Sequence, residues 1–236
     1  MEKVIAKIKI SLQKAAKPCP QKERGWVQKY LGTKRKFLCV KASERDKILR
    51  QTAGEIKEMS PKEIVELFDE LFLSDTFEFV NFGGKLLVIS TKARESIGFS
   101  DLEKWLEPTA GWAECDSICQ SLFSEKEVLA RWNEWQKNIA KFSRNKNIQL
   151  RRASLVLQCK PSRGSNDPQL RQLAFETIEK LKGEKEVLIT KAVSWLLRSL
   201  AVKNGQEVLQ YLQENKDSLP KNAYRETMKK ITTGKK

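Results

Sequence analysis

Two residues in segment 111–118 have a spacing that suits the binding of a positively charged ligand. Trp112 and Asp116 are four residues apart, so on a helix they would share one face, one turn from each other. A carboxylate beside an indole ring supplies a negative charge and a flat π surface, and both attract a cation. The spacing is also compatible with a Trp112 buried in the core and an Asp116 exposed to solvent.

Segment 147–156 contributes two adjacent arginines, Arg151 and Arg152, within an apolar helical pattern. On a helix they would point about 100° apart, so we expect one to face solvent and the other to lie near the edge of the core. An arginine held there by packing forms a two-pronged contact with a phosphate group. A solvated pair of charges is the alternative.

Segment 189–198 combines an aromatic ring with cations on one predicted helix face. Lys191, Trp195 and Arg198 recur at positions i, i+4 and i+7. Basic groups interleaved with an aromatic ring are typical of surfaces that follow a nucleic-acid backbone. A tryptophan on a helix is more often a core residue, and that is the alternative for Trp195.

A third basic cluster lies near the N-terminus, where Tyr30 is followed by Lys34, Arg35 and Lys36. Three cations near a helix end can hold phosphate groups. A basic loop that is only solvated is the other interpretation, and this segment alone does not decide between them.

The chain contains no histidine. This excludes Ser-His-Asp and Cys-His catalysis, histidine-ligated metals and imidazole acid–base chemistry, so an enzyme would have to use other side chains. Scattered cysteines without paired CxxC spacing predict reduced thiols, and we expect neither a metal nor a cofactor. The five cysteines are Cys19, Cys39, Cys115, Cys119 and Cys159.

Positive charge is in large excess over the 236 residues, with 45 Lys and Arg against 30 Asp and Glu, a formal charge of +15. The excess is +11 in residues 1–50 and +13 in residues 128–236, whereas residues 51–127 carry −9. Such a surplus favours a polyanionic partner, which could be nucleic acid, an anionic membrane face or an acidic protein. A basic protein without such a partner would have the same composition.

The sequence predicts no membrane span, because no apolar run approaches the ~20 residues needed to cross a bilayer. The N-terminus lacks the apolar stretch and the cleavage site of a signal peptide. We therefore expect a cytoplasmic protein, which would be associated with the nucleoid in a prokaryote.

Helical periodicity predominates, and an all-α fold of about twelve helices is predicted. The strand-like run 86–89 lies within a longer helical pattern. One helix is expected to run from Ser124 through Trp135, and segment 161–165 is expected to be a loop. Helix caps are predicted at Ser43, Ser60, Ser100 and Ser124, and segment 166–168 is predicted to open a helix that Gly183 terminates.

The predicted helices could form either a globular bundle or an array of stacked pairs. Pairs here average roughly 40 residues, the length of HEAT and armadillo units. No linker rich in proline, glycine or serine divides the chain, so we expect one continuous domain over residues 1–236.

Segments 112–118, 147–153 and 191–198 together resemble the AlkD family of DNA alkylation repair glycosylases, and the resemblance extends over nearly the whole chain. It implies an α-α superhelix, or solenoid, of HEAT-like helix pairs, C-shaped with a basic concave face that holds duplex DNA. It also implies a monomer that acts on double-stranded DNA containing alkylated bases.

The resemblance further implies roles for individual residues. Asp116 matches the catalytic carboxylate, and Trp112 and Trp195 match tryptophans that flank the sugar of the damaged nucleotide. Arg152 matches an arginine that contacts the DNA backbone, and Tyr30 matches a tyrosine near the lesion. We expect further DNA contacts from the neighbouring basic residues Lys34, Arg35, Lys36, Arg151, Lys191 and Arg198.

Two departures from the family are visible. Gly111 stands where the family tends to place a bulky aromatic residue before the first motif tryptophan, and the loop over 161–168 is expected to be longer.

The hypothesis that the resemblance implies is a glycosylase that excises cationic N3- and N7-alkylated purines, with the lesion largely unflipped. The alternatives are a non-catalytic HEAT-like protein that binds branched or distorted DNA and a protein-binding solenoid.

Overall fold

The computed structural model describes residues 1–18 and 20–234, which form helices joined by short turns. These residues contain fifteen α-helices and one 3-10 helix, and they form no β-strand; one isolated bridge pairs Lys36 with Thr76. The all-α prediction is therefore confirmed. Within these ranges, no helix combines the length and the apolar character needed to cross a bilayer.

The chain divides into two compact units, Met1–Leu122 and Phe123–Lys236. The first unit contains a 3-10 helix, Glu55–Glu58, and eight α-helices. These are α1 (Glu2–Lys14), α2 (Gln21–Leu31), α3 (Ala42–Thr52), α4 (Pro61–Phe72), α5 (Phe77–Ile89), α6 (Thr91–Ser96), α7 (Phe99–Leu106) and α8 (Trp112–Cys119).

The second unit contains seven α-helices. These are α9 (Glu125–Ala130), α10 (Trp132–Ser143), α11 (Ile148–Gly164), α12 (Pro168–Leu181), α13 (Val187–Leu200), α14 (Gly205–Glu214) and α15 (Lys221–Thr233).

Alternate helices of the second unit lie side by side. Helix α11 packs on α13, which packs on α15, while α10 packs on α12. Two layers of alternating helices are the arrangement of an α-α superhelix built from helix pairs, so the predicted fold class is confirmed.

An aromatic cluster forms part of the core of the first unit. Phe68 and Phe72 of α4 pack against Trp105 of α7 with ring centroids 5.9 and 4.8 Å away, and all three side chains are fully buried. The indole N–H of Trp105 donates to Asp69 Oδ1 at 2.7 Å, so its one polar atom is satisfied.

Three helix starts agree with the sequence. Ser60 and Ser124 cap α4 and α9, each in a reciprocal box with the glutamate three residues later, Glu63 and Glu127. The carboxylate of Asp167 accepts two main-chain N–H groups of α12.

Two predicted caps were wrong by two residues. Helix α3 is capped at Lys41 instead of Ser43, and α7 at Gly98 instead of Ser100. In α7 the carboxylate of Asp101 accepts the main-chain N–H of the preceding glycine at 2.8 Å, which moves the cap upstream. Helix α12 ends as predicted, with Gly183 directly after its C-cap residue, Lys182.

The helix predicted from Ser124 through Trp135 is in fact two helices. Helix α9 ends at Ala130, and Arg131, with φ −122° and ψ 33°, leaves the helical conformation. Trp132 and Trp135 therefore belong to α10, which partly explains why there are more helices than predicted.

The predicted loop 161–165 was also wrong, because α11 continues through Pro161 to Gly164. A proline lacks an N–H, so Pro161 costs the helix one main-chain hydrogen bond near its end. The N–H of Ser165 still donates to the carbonyl of Pro161 at 3.1 Å. The connection over 161–168 is thus a short turn and not a lengthened loop.

Candidate functional site

Helix α8, which carries Trp112 and Asp116, begins where two main chains meet. Gly111 precedes the helix and lies against Gly32, the left-handed residue (φ 72°) that ends α2. A Cβ on Gly111 would lie 2.5 Å from the carbonyl carbon and oxygen of Gly32. The contact leaves no room for a side chain, which gives a physical reason for the glycine at this position.

A second glycine fixes the other half of α8. A Cβ on Gly84 of α5 would lie 1.7 Å from the carbonyl oxygen of Ser117, so the α5 and α8 backbones touch. Ser117 directly follows Asp116. The candidate carboxylate is therefore positioned by main-chain contacts from two helices.

Trp112 is held by Tyr30. Its indole N–H donates to the main-chain carbonyl of Tyr30 at 2.7 Å, and the two rings meet edge to face with centroids 5.6 Å apart. The Trp112 side chain is partly exposed, whereas Tyr30 is 60% exposed. The structure thus brings two of the predicted site residues into direct contact.

Asp116 lines a cavity of about 670 Å³ together with Trp112. Its residue exposure is 6%, so the alternative of a solvent-exposed aspartate was wrong. The shared face expected from the i, i+4 spacing is therefore a shared cavity wall. A largely dehydrated carboxylate beside an indole is an environment in which electrostatic attraction to a cation is strong.

Polar residues from α3 and α5 complete the cavity wall. Arg45 donates to Asn81 Oδ1 at 2.6 Å, and the amide of Asn81 donates to the hydroxyl of Ser117 at 3.2 Å. This chain of hydrogen bonds links α3 to α8. Arg45 Nε is buried without a hydrogen-bond partner in the described part of the chain.

The cavity also contains an ion pair between Lys85 and Asp46, whose charged atoms are 2.5 Å apart. The hydrogen bond from Lys85, reinforced by its charge, lowers the pKa of Asp46 below the usual range. The two opposite charges offset each other, so the pair adds no net charge to the cavity.

Arg35 contacts other residues of the first unit. Its Nε lies 3.0 Å from Glu114 Oε2, and its guanidinium also donates to the carbonyl of Ser74. Glu114 is 1% exposed and also accepts a hydrogen bond from Thr33. These contacts connect Arg35 to α8 and give it a structural role, and the phosphate contact expected of it stays a prediction.

The neighbouring lysines are exposed. Lys36 forms a surface ion pair with Asp75 at 2.6 Å, and the hydrogen bond and charge of Asp75 raise the pKa of Lys36. Lys34 is exposed. Of the basic cluster, these two side chains are accessible to an anion.

Arg151 and Arg152 both have internal partners in the second unit. Arg151 forms a two-pronged ion pair with Glu184, with distances of 2.7 and 3.1 Å. Arg152 is 4% exposed and donates to the carbonyl of Leu188 at the start of α13. Arg151 is thus the more exposed of the two and Arg152 lies in the core, although both have internal partners.

Lys191, Trp195 and Arg198 lie on α13, and none of them is fully buried. Lys191 is exposed, whereas Arg198 pairs with Glu226 at 3.5 Å and donates to Ser194. Trp195 is partly exposed, so it is not a fully buried core residue. The shared face predicted from the spacing is thus observed within this helix.

The cysteines give no indication of a metal site. Cys115, Cys119 and Cys159 are buried, and Cys19 lies outside the described residues. No group of three or more Cys, Asp or Glu side chains in residues 1–18 and 20–234 is arranged to hold a metal ion. The expectation of reduced thiols stays a prediction.

Comparison with known proteins adds an independent line of argument. The family model described as DNA alkylation repair enzyme matches residues 8–231, nearly the whole length. The chain belongs to the DNA alkylation repair enzyme family. The family resemblance predicted from three short segments is confirmed.

A solved structure has the same fold. It is described as a predicted DNA alkylation repair enzyme from Enterococcus faecalis, and it superposes with a TM-score of 0.73 at 19% identity. The match covers 91% of this chain and 97% of that one. No curated protein sequence matches this member of the family.

Sequence reasoning missed several residues at this site. Arg45, Asn81 and Lys85 line the cavity beside Asp116, and Trp26 of α2 stacks on Tyr30. Helical spacing is a signal for Trp26, one turn before Tyr30, and for Asn81, one turn before Lys85. Arg45 had no such signal because its partner lies on another helix.

Proposed function

We propose that this member of the family is a monofunctional DNA glycosylase that removes cationic alkylated purines, such as 3-methyladenine and 7-methylguanine, from duplex DNA. The observation that carries the proposal is the cavity shared by Asp116 and Trp112. It joins a nearly buried carboxylate to an aromatic face at the start of a firmly held helix.

The chemistry requires little acid catalysis. A purine alkylated at N3 or N7 already carries a positive charge, so it leaves with the electron pair of the glycosidic bond and becomes neutral. The sugar then develops oxocarbenium character, and water adds to its anomeric carbon and releases a proton to solvent. Stabilising that developing charge is the main demand, and a preorganised carboxylate meets it.

Asp116 is the group assigned to this task. With only 6% of its surface exposed, it would act in a region of low dielectric, where its attraction to the sugar cation is least screened. It would also orient the attacking water. The contacts of α8 with Gly32 and Gly84 support this role, because a fixed charge needs no reorganisation during the reaction.

Trp112 would add the π face of its ring to the stabilisation of the cation. Its hydrogen bond to Tyr30 fixes the ring orientation and supports this assignment. By the family resemblance, Trp195 is assigned the same task, and Arg152 is assigned to the DNA backbone. Lys191 and Lys34 are exposed cations that suit phosphate contacts.

The test is base release from methylated duplex DNA by the wild-type protein and by Asp116→Asn. The wild type should release methylated purines, and Asp116→Asn should be slower by ~100-fold or more while still binding DNA. Asp217→Asn, which changes an exposed carboxylate in the second unit, should retain full activity. Absence of release by the wild type would refute the glycosylase, and preferential binding to branched DNA would then favour a non-catalytic role.

A further inference from the structure

An exposed pair of stacked aromatic rings lies on α2. The rings of Trp26 and Tyr30 are parallel within 1°, with centroids 5.5 Å apart. Trp26 is 66% exposed and Tyr30 is 60% exposed, although large aromatic side chains usually bury most of their surface. The stack therefore presents an open aromatic face to solvent.

The stack continues towards the cavity that contains Asp116. Tyr30 meets Trp112 edge to face, and Trp112 lines the cavity. Three rings thus lead from open solvent to the proposed reaction site. A ligand that bound at Trp26 would lie close to DNA held at that site.

Cations outnumber anions beside the stack on the same helix. Lys22 is four residues before Trp26 and Lys29 is three after it, and both are exposed, as is the one acidic neighbour, Glu23, three residues before Trp26. An apolar ligand would gain nothing from these charges. A nucleotide would use both features, since its base stacks on a ring and its phosphates attract lysine.

We propose that Trp26, stacked on Tyr30, is a binding residue for an unpaired nucleobase of the DNA. A paired base has its faces covered by its neighbours, whereas a base without a partner can leave the duplex and expose a π face. The inference rests on the proposed DNA substrate, because excision of a base leaves the opposite base unpaired. Its test does not depend on excision.

The experiment measures binding to three DNAs of one sequence: a fully paired duplex, a duplex with a tetrahydrofuran abasic-site analogue, and the single strand. Trp26→Ala should weaken binding to the abasic duplex about 10-fold and change binding to the paired duplex less than about twofold. Trp26→Phe should bind nearly as well as the wild type. The salt dependence should not change, because no charge is removed.

Val202→Ala is a matched control, since Val202 is an exposed apolar residue in the second unit, and it should bind all three DNAs as the wild type does. Weaker binding of Trp26→Ala to the single strand as well would assign the surface to any unstacked base. An effect on the abasic duplex alone would assign it to the base opposite the gap, and either result supports the inference.

Unchanged binding of Trp26→Ala to the abasic duplex, or an equal loss on the paired duplex, would overturn the inference. Circular dichroism should show an intact fold, because the Trp26 side chain is two-thirds exposed. A wild type that releases no methylated base but shows the Trp26 effect would refute the glycosylase alone. Base release without the Trp26 effect would refute the stacking surface alone.

Discussion

Gly84 of α5 touches the main chain of Ser117 in α8 so closely that a Cβ would lie 1.7 Å from the Ser117 carbonyl oxygen. No rotamer change can relieve such an overlap, because the neighbour is backbone. The position of Asp116, one residue earlier, therefore depends on a residue that has no functional group.

Gly84→Ala is expected to destabilise the protein, because the added methyl group must push α5 and α8 apart. Overpacking of this kind costs ~1–3 kcal/mol or more, measured as a lower midpoint of urea unfolding. Gly54→Ala is the control, since nothing lies within 4 Å of the place that its Cβ would occupy, and it should leave the midpoint unchanged or slightly higher. Equal midpoints for the wild type and Gly84→Ala would contradict the close contact.

Replacing Arg35 by methionine should lower the stability of the fold, whereas replacing Lys34 should lower the salt dependence of DNA binding. Arg35→Met leaves Glu114 buried without its charged partner, so the free energy of unfolding should fall by about 3 kcal/mol. Lys34→Met should leave stability nearly unchanged and lower the slope of log Kd against log salt for DNA by about 1. A stable Arg35→Met protein with a reduced salt slope would instead support the phosphate contact predicted for Arg35.

A second contrast concerns Arg151 and Lys191 in the second unit. Arg151→Ala removes a two-pronged ion pair with Glu184, and urea unfolding should show a loss of about 1.5–3 kcal/mol. Lys191→Ala should keep its stability and weaken binding to all duplex sequences alike, with a salt slope lower by about 1. Sequence-dependent weakening would mean that Lys191 contacts bases and not phosphates.

The pKa of Asp46 should lie below the value of about 3.9 for an unperturbed aspartate, because Lys85 donates a hydrogen bond to its carboxylate. A lowered folded pKa means that the pair stabilises the fold above the unfolded pKa, and that this contribution is lost as the pH falls through the folded value. An NMR titration of the Asp46 carboxyl group would measure its pKa. Lys85→Met should raise the Asp46 pKa, whereas Lys62→Met on α4 should not; a pKa unaffected by Lys85→Met would contradict the pair.

Much of the fold could be predicted because helical periodicity and caps are local in sequence. Ser60 and Ser124 cap their helices with glutamates three residues away, so a short segment contains the whole signal. Pro161 was misinterpreted for a related reason. A proline usually ends a helix, but here the buried position of the residue within α11 outweighs that preference.

The site was partly predictable for the same reason. Trp112 and Asp116 share a face because they are one turn apart, and that holds for any helix. The internal ion pairs of Arg35 and Arg151 were not predicted, because their partners, Glu114 and Glu184, are distant in sequence. Only the packing of helices brings such charges together, and spacing does not reveal it.

Helix α2 is anchored mainly at its C-terminal end, by Gly32 against Gly111 and by the Trp112 hydrogen bond to Tyr30, and none of its described side chains is fully buried. A helix with so little buried surface opens locally at a low free-energy cost, so its amide hydrogens would exchange with solvent sooner than those of α4 or α11. DNA stacked on Trp26 would suppress that opening. Ordering α2 would then offset part of the binding free energy. DNA recognition would thus be coupled to the local stability of α2, the helix whose Tyr30 accepts the Trp112 hydrogen bond.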